Sequence, residues 1–192
     1  MKKPSSFIPK IFLKVNGINY GNGLKLFGWP FMFRFKNACI EIGENVSINS
    51  SFLSNLLGLY QRTIIVAKNE GKIKIGDRVG ISGATIYAWD NIEIGDDTRV
   101  GANVKIVDTD FHPVDPEERL KGNNTASRCR PIKIGKNVFI GMNSLIVKGT
   151  VIGDNSVVGA GAVVHGEFPT NCVIAGNPAR IVKYLNEEEA DV

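Results

Sequence analysis

His112 is one of only two histidines in the chain and sits in the phrase Asp108-Thr109-Asp110-Phe111-His112-Pro113. Imidazole takes up and returns a proton near neutral pH, and a neighbouring carboxylate can orient its ring. Asp108 and Asp110 supply carboxylates just upstream, and Pro113 stiffens the chain just after the ring. Spacing alone leaves two readings open: a general base, or an ordinary loop histidine. Cys39, Cys129 and Cys172 are odd in number and widely spaced, so they build neither a disulfide framework nor a CxxC zinc pattern. They read as free thiols or small buried hydrophobes, as expected in a reducing cytoplasm.

The frame that must position this histidine is written as a repeat. Ile-Gly or Val-Gly occurs at 42, 75, 79, 94, 100, 134, 140, 152 and 158, so nine of the 21 glycines follow Ile or Val. From Ile134 the period is six without a slip: Ile134, Ile140, Ile146, Ile152, Val158, Val164. A second row, mostly of small residues, sits four residues into each hexad: Val138, Ser144, Thr150, Ser156, Ala162, Phe168. Ile42/Ile48, Ile75/Ile81 and Ile94/Val100/Ile106 share the spacing. Six matches neither a 3.6-residue helix nor a long alternating strand; it suits a short β-branched strand followed by a tight corner. Gly and Asn at those corners are expected to take left-handed backbone angles. Three hexads make one triangular coil, and coils stack at roughly 4.8 Å per layer. About a dozen inward Ile and Val, each contributing roughly 1.5–3 kcal/mol, can then hold a chain that no single coil could hold.

Two interruptions break the pattern. One covers 54–71 and contains Leu56, Leu57, Leu59, Tyr60 and Arg62. The other, 107–131, is polar, carries three prolines and contains His112. A loop of that length in a solenoid is more often functional than idle.

These residues resemble a known family. The hexads, the segment TDFHPVDPEERLKGN and the closing AGNPARIVK are similar to the hexapeptide-repeat acyltransferases, in the branch of galactoside, maltose and polysaccharide O-acetyltransferases. The resemblance covers about residues 40–183 and implies an all-β left-handed parallel β-helix with an extruding loop. It further implies a homotrimer with clefts between neighbours, acetyl-CoA as donor, no metal, and as acceptor a sugar hydroxyl of a cell-surface polysaccharide or its precursor. His112 then corresponds to the catalytic base, with Ser82, Asp108 and Asp110 on the acceptor side. Met142 and Ala160 would meet the donor through backbone groups, Arg180 and Lys183 its phosphates, and corner N–H groups the oxyanion. The chain departs from the galactoside type in three places. It shows no recognisable N-terminal helical cap; Ile81-Ser82-Gly83-Ala84 stands where an acceptor-binding asparagine is expected; and His165-Gly166 replaces a Thr-Lys pair along the donor channel, leaving Lys148 or Lys183 to supply the cation. His165 reads as an outward corner residue or as lining the pantetheine arm.

Residues 1–38 do not follow the hexad. They hold six of the ten phenylalanines, Trp29 and seven cations, and no acid. The segment is expected to cap the open solenoid, with weak contact to a membrane surface as the sharper reading. The solenoid domain is expected over 39–183, with a short C-terminal helix or acidic tail at the end of the chain, the tail being 184–192. Pro9, Lys10 and Lys14 interrupt any export signal, so a soluble cytoplasmic protein is expected. The net charge of +4 points to no nucleic acid. Three other functions remain in view: N-acetylation of an amino sugar or nucleotide amino sugar, an inactive or structural β-helix, and a zinc β-helix, which would need three histidines where two exist.

Overall fold

The hexads fold as stacked turns of a three-sided coil. The computed structural model describes residues 7–123 and 128–185. Successive strands visit three sheets in rotation and, apart from the last, pair in parallel from coil to coil; the sheets contain seven, eight and six described strands. Register follows the repeat. In the first sheet Ile92 lies between Ile73 and Ile132, and Ile94 between Ile75 and Ile134. In the second, Val100 lies between Ile81 and Ile140; in the third, Ile106 lies between Ile86 and Ile146. All these side chains are buried in one continuous core. Branched side chains stacked on like neighbours suit close packing in that narrow interior.

The corners assign separate tasks to Gly and Asn. None of the nine glycines after Ile or Val has a positive φ. The left-handed residue comes two positions later, as at Asn45, Asp97, Asn103, Asn137, Asn143 and Asn155. Most hexad glycines are needed instead for close stacking. A Cβ on Gly135 would collide with the Asp154 carboxylate and lie 2.7 Å from its backbone N. That carboxylate accepts the Lys136 N–H at 2.8 Å, as Asp77 does for Glu44 at 2.8 Å and Asp96 for Asp77 at 3.0 Å. At these three corners the aspartate of one coil caps the corner of the coil before it. The second row is buried where it is small: Ser144 donates to the carbonyls of Gly141 and Gly159, and Thr150 to those of Val147 and Val164. Phe168, the bulky member, is only half-buried.

Several boundaries differ from expectation. The solenoid begins well before residue 39. Strands Asn19–Tyr20, Lys25–Gly28 and Phe31–Arg34 form a complete coil, paired onto Cys39–Ile42, Ser47–Ser50 and Ile64–Ala67. Its core is Ile18, Leu24, Leu26 and Met32, which supplies inward bulk without the Ile-Gly signature. A helical cap also exists: α1 (Phe7–Val15) lays Leu13 against that core. The first interruption is shorter than 54–71, because Ile64–Ala67 is a strand of the third sheet; the insertion runs from 51 to 63. At the other end Ala179–Tyr184 is a strand, not a helix. It folds back antiparallel on Cys172–Gly176 after a cis Asn177–Pro178 bond and buries Ala179. The tail beyond 185 lies outside the described residues.

Candidate active site

The His112 loop leaves the third sheet after the strand Lys105–Val107 and is anchored at its root. Asp108 is buried, and its carboxylate accepts the backbone N–H groups of Trp89 (2.8 Å) and Asp90 (2.9 Å). Burial pushes its pKa above the usual carboxylate value, against the opposing pull of those N–H donors. Asp108 therefore ties the loop to the preceding coil: it is a buried anchor where a substrate contact was expected. Thr109 and Cys129 form an antiparallel bridge across the neck of the loop.

Beyond the neck the chain turns sharply. Phe111 has φ +62°, an uncommon conformation for a bulky residue, and its ring packs edge-on against Tyr87 (5.3 Å) and Trp89 (6.2 Å). The Phe111 N–H donates to the Thr109 hydroxyl at 3.2 Å, and the His112 N–H to the Asp110 carbonyl at 2.7 Å. The Asp110 carboxylate is ion-paired with Lys148. Downstream, Pro113 is buried, and Asp115 caps α2 (Pro116–Leu120) by accepting the N–H groups of Glu117 and Glu118. Arg119 donates to the Pro113 and Val114 carbonyls, both at 2.9 Å. His112 is left exposed on a backbone held from both sides.

A second feature is a groove of about 810 Å³ along the outer face of the second sheet. Ser82, Met142 and Ala160 line it together with Asn49, Arg99 and Phe139. Asn49 donates to the Ser82 hydroxyl at 3.1 Å. Gly101, Ala102, Gly141 and Gly159 leave the corner backbone bare along its floor. The structure thus gathers three of the expected site residues here. His112, Asp108 and Asp110 do not line this groove, nor do Arg180 and Lys183, which are exposed on the terminal strand. Arg180 donates to the Ala179 carbonyl at 2.8 Å. Lys148 is ion-paired with Asp110 and does not line this groove. His165 is exposed at the corner after Val163–Val164.

Reading the hexads missed Phe111, Tyr87, Trp89 and Lys148 as supports of His112. The aromatic pair Tyr87-x-Trp89, in a solenoid with few aromatics, was the available signal for the first three. Lys148 carried none, because its pairing with Asp110 joins residues 38 apart.

Comparison with known proteins adds independent support. The profile described as the hexapeptide repeat of succinyl-transferase matches residues 131–165. WbbJ of Escherichia coli K12, whose name assigns it O-acetyl transfer in lipopolysaccharide biosynthesis, is 31% identical over 154 residues, covering 78% of this chain and 74% of its own. A Saccharomyces cerevisiae protein named as an acetyltransferase is 38% identical over 116 residues, 56% of this chain and 57% of its own, so the chain spans little more than half of that relative. Among solved structures, a galactoside acetyltransferase in complex with coenzyme A superposes with TM-score 0.59 at 28% identity, covering 88% of this chain and 65% of the other. With a triangular parallel solenoid, an extruding histidine loop and relatives of this extent, the chain belongs to the hexapeptide-repeat acyltransferase family.

Proposed function

We propose that the protein transfers an acetyl group from acetyl-CoA to a sugar hydroxyl, with His112 as general base. The observation that carries the reading is the bracing of His112: an exposed imidazole on a backbone fixed by Asp108, Phe111, the Asp110–Lys148 pair and Arg119. Such a group is expensive to position unless its placement matters. The groove fits the donor. Its glycine-lined floor leaves room for a thin pantetheine arm, and bare backbone offers hydrogen-bonding groups along it. Arg180 and Lys183 supply exposed cations for the phosphates. The coenzyme A complex of the similar galactoside enzyme supports this donor, and the names of that enzyme and of WbbJ support a carbohydrate acceptor.

His112 would take the proton from the acceptor hydroxyl as its oxygen attacks the thioester carbonyl. The imidazolium would return the proton to the departing sulfur as the C–S bond breaks, and a corner N–H would hold the transient oxyanion. Because His112 and the groove do not meet within one chain, the reading includes a homotrimer of left-handed coils, in which the loop of one copy faces the groove of the next. Ser82, steadied by Asn49, is the acceptor contact in that cleft.

The test is thiol release from acetyl-CoA across a panel of sugars, amino sugars and nucleotide sugars, comparing parent and His112→Ala. Acceptor-dependent release should fall by about 10²–10⁴ in the variant, with an unchanged melting temperature. Near-parental turnover would remove His112 from its role, preference for an amine would move the reaction to nitrogen, and a monomeric mass by light scattering would remove the shared cleft.

A further inference from the structure

The first coil and the insertion beside it present an apolar surface that neither the groove nor the loop uses. Phe31 and Phe33 point outward from the edge strand of the third sheet, on either side of the fully buried Met32. Phe12 of α1 packs edge-on against Trp29 at 6.5 Å, yet both remain exposed. One layer up, the register Gly28↔Ser50 and Phe31↔Ile64 places the 51–63 insertion over the Trp29–Pro30 turn. That insertion exposes Phe52, Leu53 and Leu56, the last at 84%. It is braced rather than frayed: Asn103 donates to the Gly58 carbonyl at 3.1 Å, and Gln61 to the Gly83 carbonyl at 3.0 Å.

Charge says what covers this surface. No acidic residue occurs before Glu41, while Lys10, Lys14 and Lys36 flank the aromatics. Large apolar side chains among unopposed cations match the boundary of an anionic bilayer, where rings enter the headgroup region and lysines meet phosphates. A second copy docked here through the same face would set these cations against each other. No described helix is long and apolar enough to cross a membrane.

We infer that the α1, first-coil and 51–63 surface docks on anionic lipid. Asn55 and Leu57 of the same insertion line the groove, so docking would bring the groove to the bilayer. An acceptor sugar carried on a lipid follows as the substrate class; that part rests on the proposed acetyl transfer, whereas lipid docking does not.

The experiment is co-sedimentation of the full chain with phosphatidylcholine vesicles, with and without phosphatidylglycerol. Two variants accompany the parent: Lys10→Glu/Lys14→Glu/Lys36→Glu and Phe52→Ser/Leu56→Ser. The parent should partition to phosphatidylglycerol vesicles, salt should weaken it, and each variant should bind at least about tenfold more weakly at an unchanged melting temperature. No sedimentation of folded parent with anionic vesicles, or equal sedimentation of parent and variants, would overturn docking. So would a smaller light-scattering mass for Phe52→Ser/Leu56→Ser, which would make the surface a contact between copies. Thiol release on a soluble sugar is read separately, so its failure would sink the proposed reaction and leave the vesicle result standing.

Discussion

Lys148 ion-pairs with Asp110, two residues before His112, and so links the extruding loop to the coil that follows it. The two side chains are 19% and 26% exposed, which places the pair between a surface contact and a buried one. Lys148→Met should therefore lower stability by about 1–2 kcal/mol. The larger effect should fall on turnover. Misplacing a catalytic group by about 1 Å costs on the order of 10²-fold, so kcat should drop by about ten- to a hundredfold while the KM for acetyl-CoA barely moves. Steady-state kinetics with a melting curve separates the two, and an unchanged kcat would show that His112 keeps its place without the pair.

Phe111 holds the same loop by packing rather than charge. Phe111→Ala should remove the contacts with Tyr87 and Trp89 while keeping the strained φ, at a cost of about 2–3 kcal/mol for a half-buried ring. Phe111→Gly loses the same ring but relieves the left-handed backbone, and should be the more stable of the two by a few tenths of a kcal/mol to about 1. Urea denaturation of both variants gives the order; the reverse order would mean that φ at this position carries no strain.

Asp108 makes a prediction about pH. Its folded pKa is raised by burial, so its contribution to stability is fully present below the ordinary aspartate value and is lost as pH rises through the folded value. Asp108→Asn cannot titrate, and it replaces one of two acceptor oxygens facing the Trp89 and Asp90 N–H groups. It should be less stable than the parent by about 1–3 kcal/mol at acid pH. The gap should narrow as pH climbs from the ordinary aspartate value through the raised one, then level off. Denaturation midpoints of parent and variant across that window measure the gap directly, and a gap that widens with pH would contradict the assignment.

Thr150 tests the second row of the repeat. Its hydroxyl donates to two corner carbonyls, at 2.7 Å to Val147 and 3.0 Å to Val164. Thr150→Val keeps the shape and strips the donor, and should cost about 1–3 kcal/mol with kcat unchanged. A neutral outcome in chemical denaturation would mean that those carbonyls find other donors.

The coil is legible in the spacing of Ile and Val alone. A period of six in Ile and Val needs no distant partner to be read, because each coil repeats the contacts of the one before; buried columns, corner positions and the exposed His112 loop all followed from spacing. Where the inward residues were Leu24, Leu26 and Met32 the same fold left no signature, and the first coil was missed. Local rules suggest a left-handed angle for the hexad glycines, whereas none of the nine has one; at most of them a Cβ would meet the next coil, its backbone or, at Gly43, Gly76 and Gly135, an aspartate. Which polar residues act as supports depends on how the coils stack. Asp108 and Asp110 look alike in the sequence, yet one is buried under two backbone N–H groups and the other is held by Lys148. Those partners come from the coils on either side, and no local pattern records which neighbour a side chain meets once the coils are stacked.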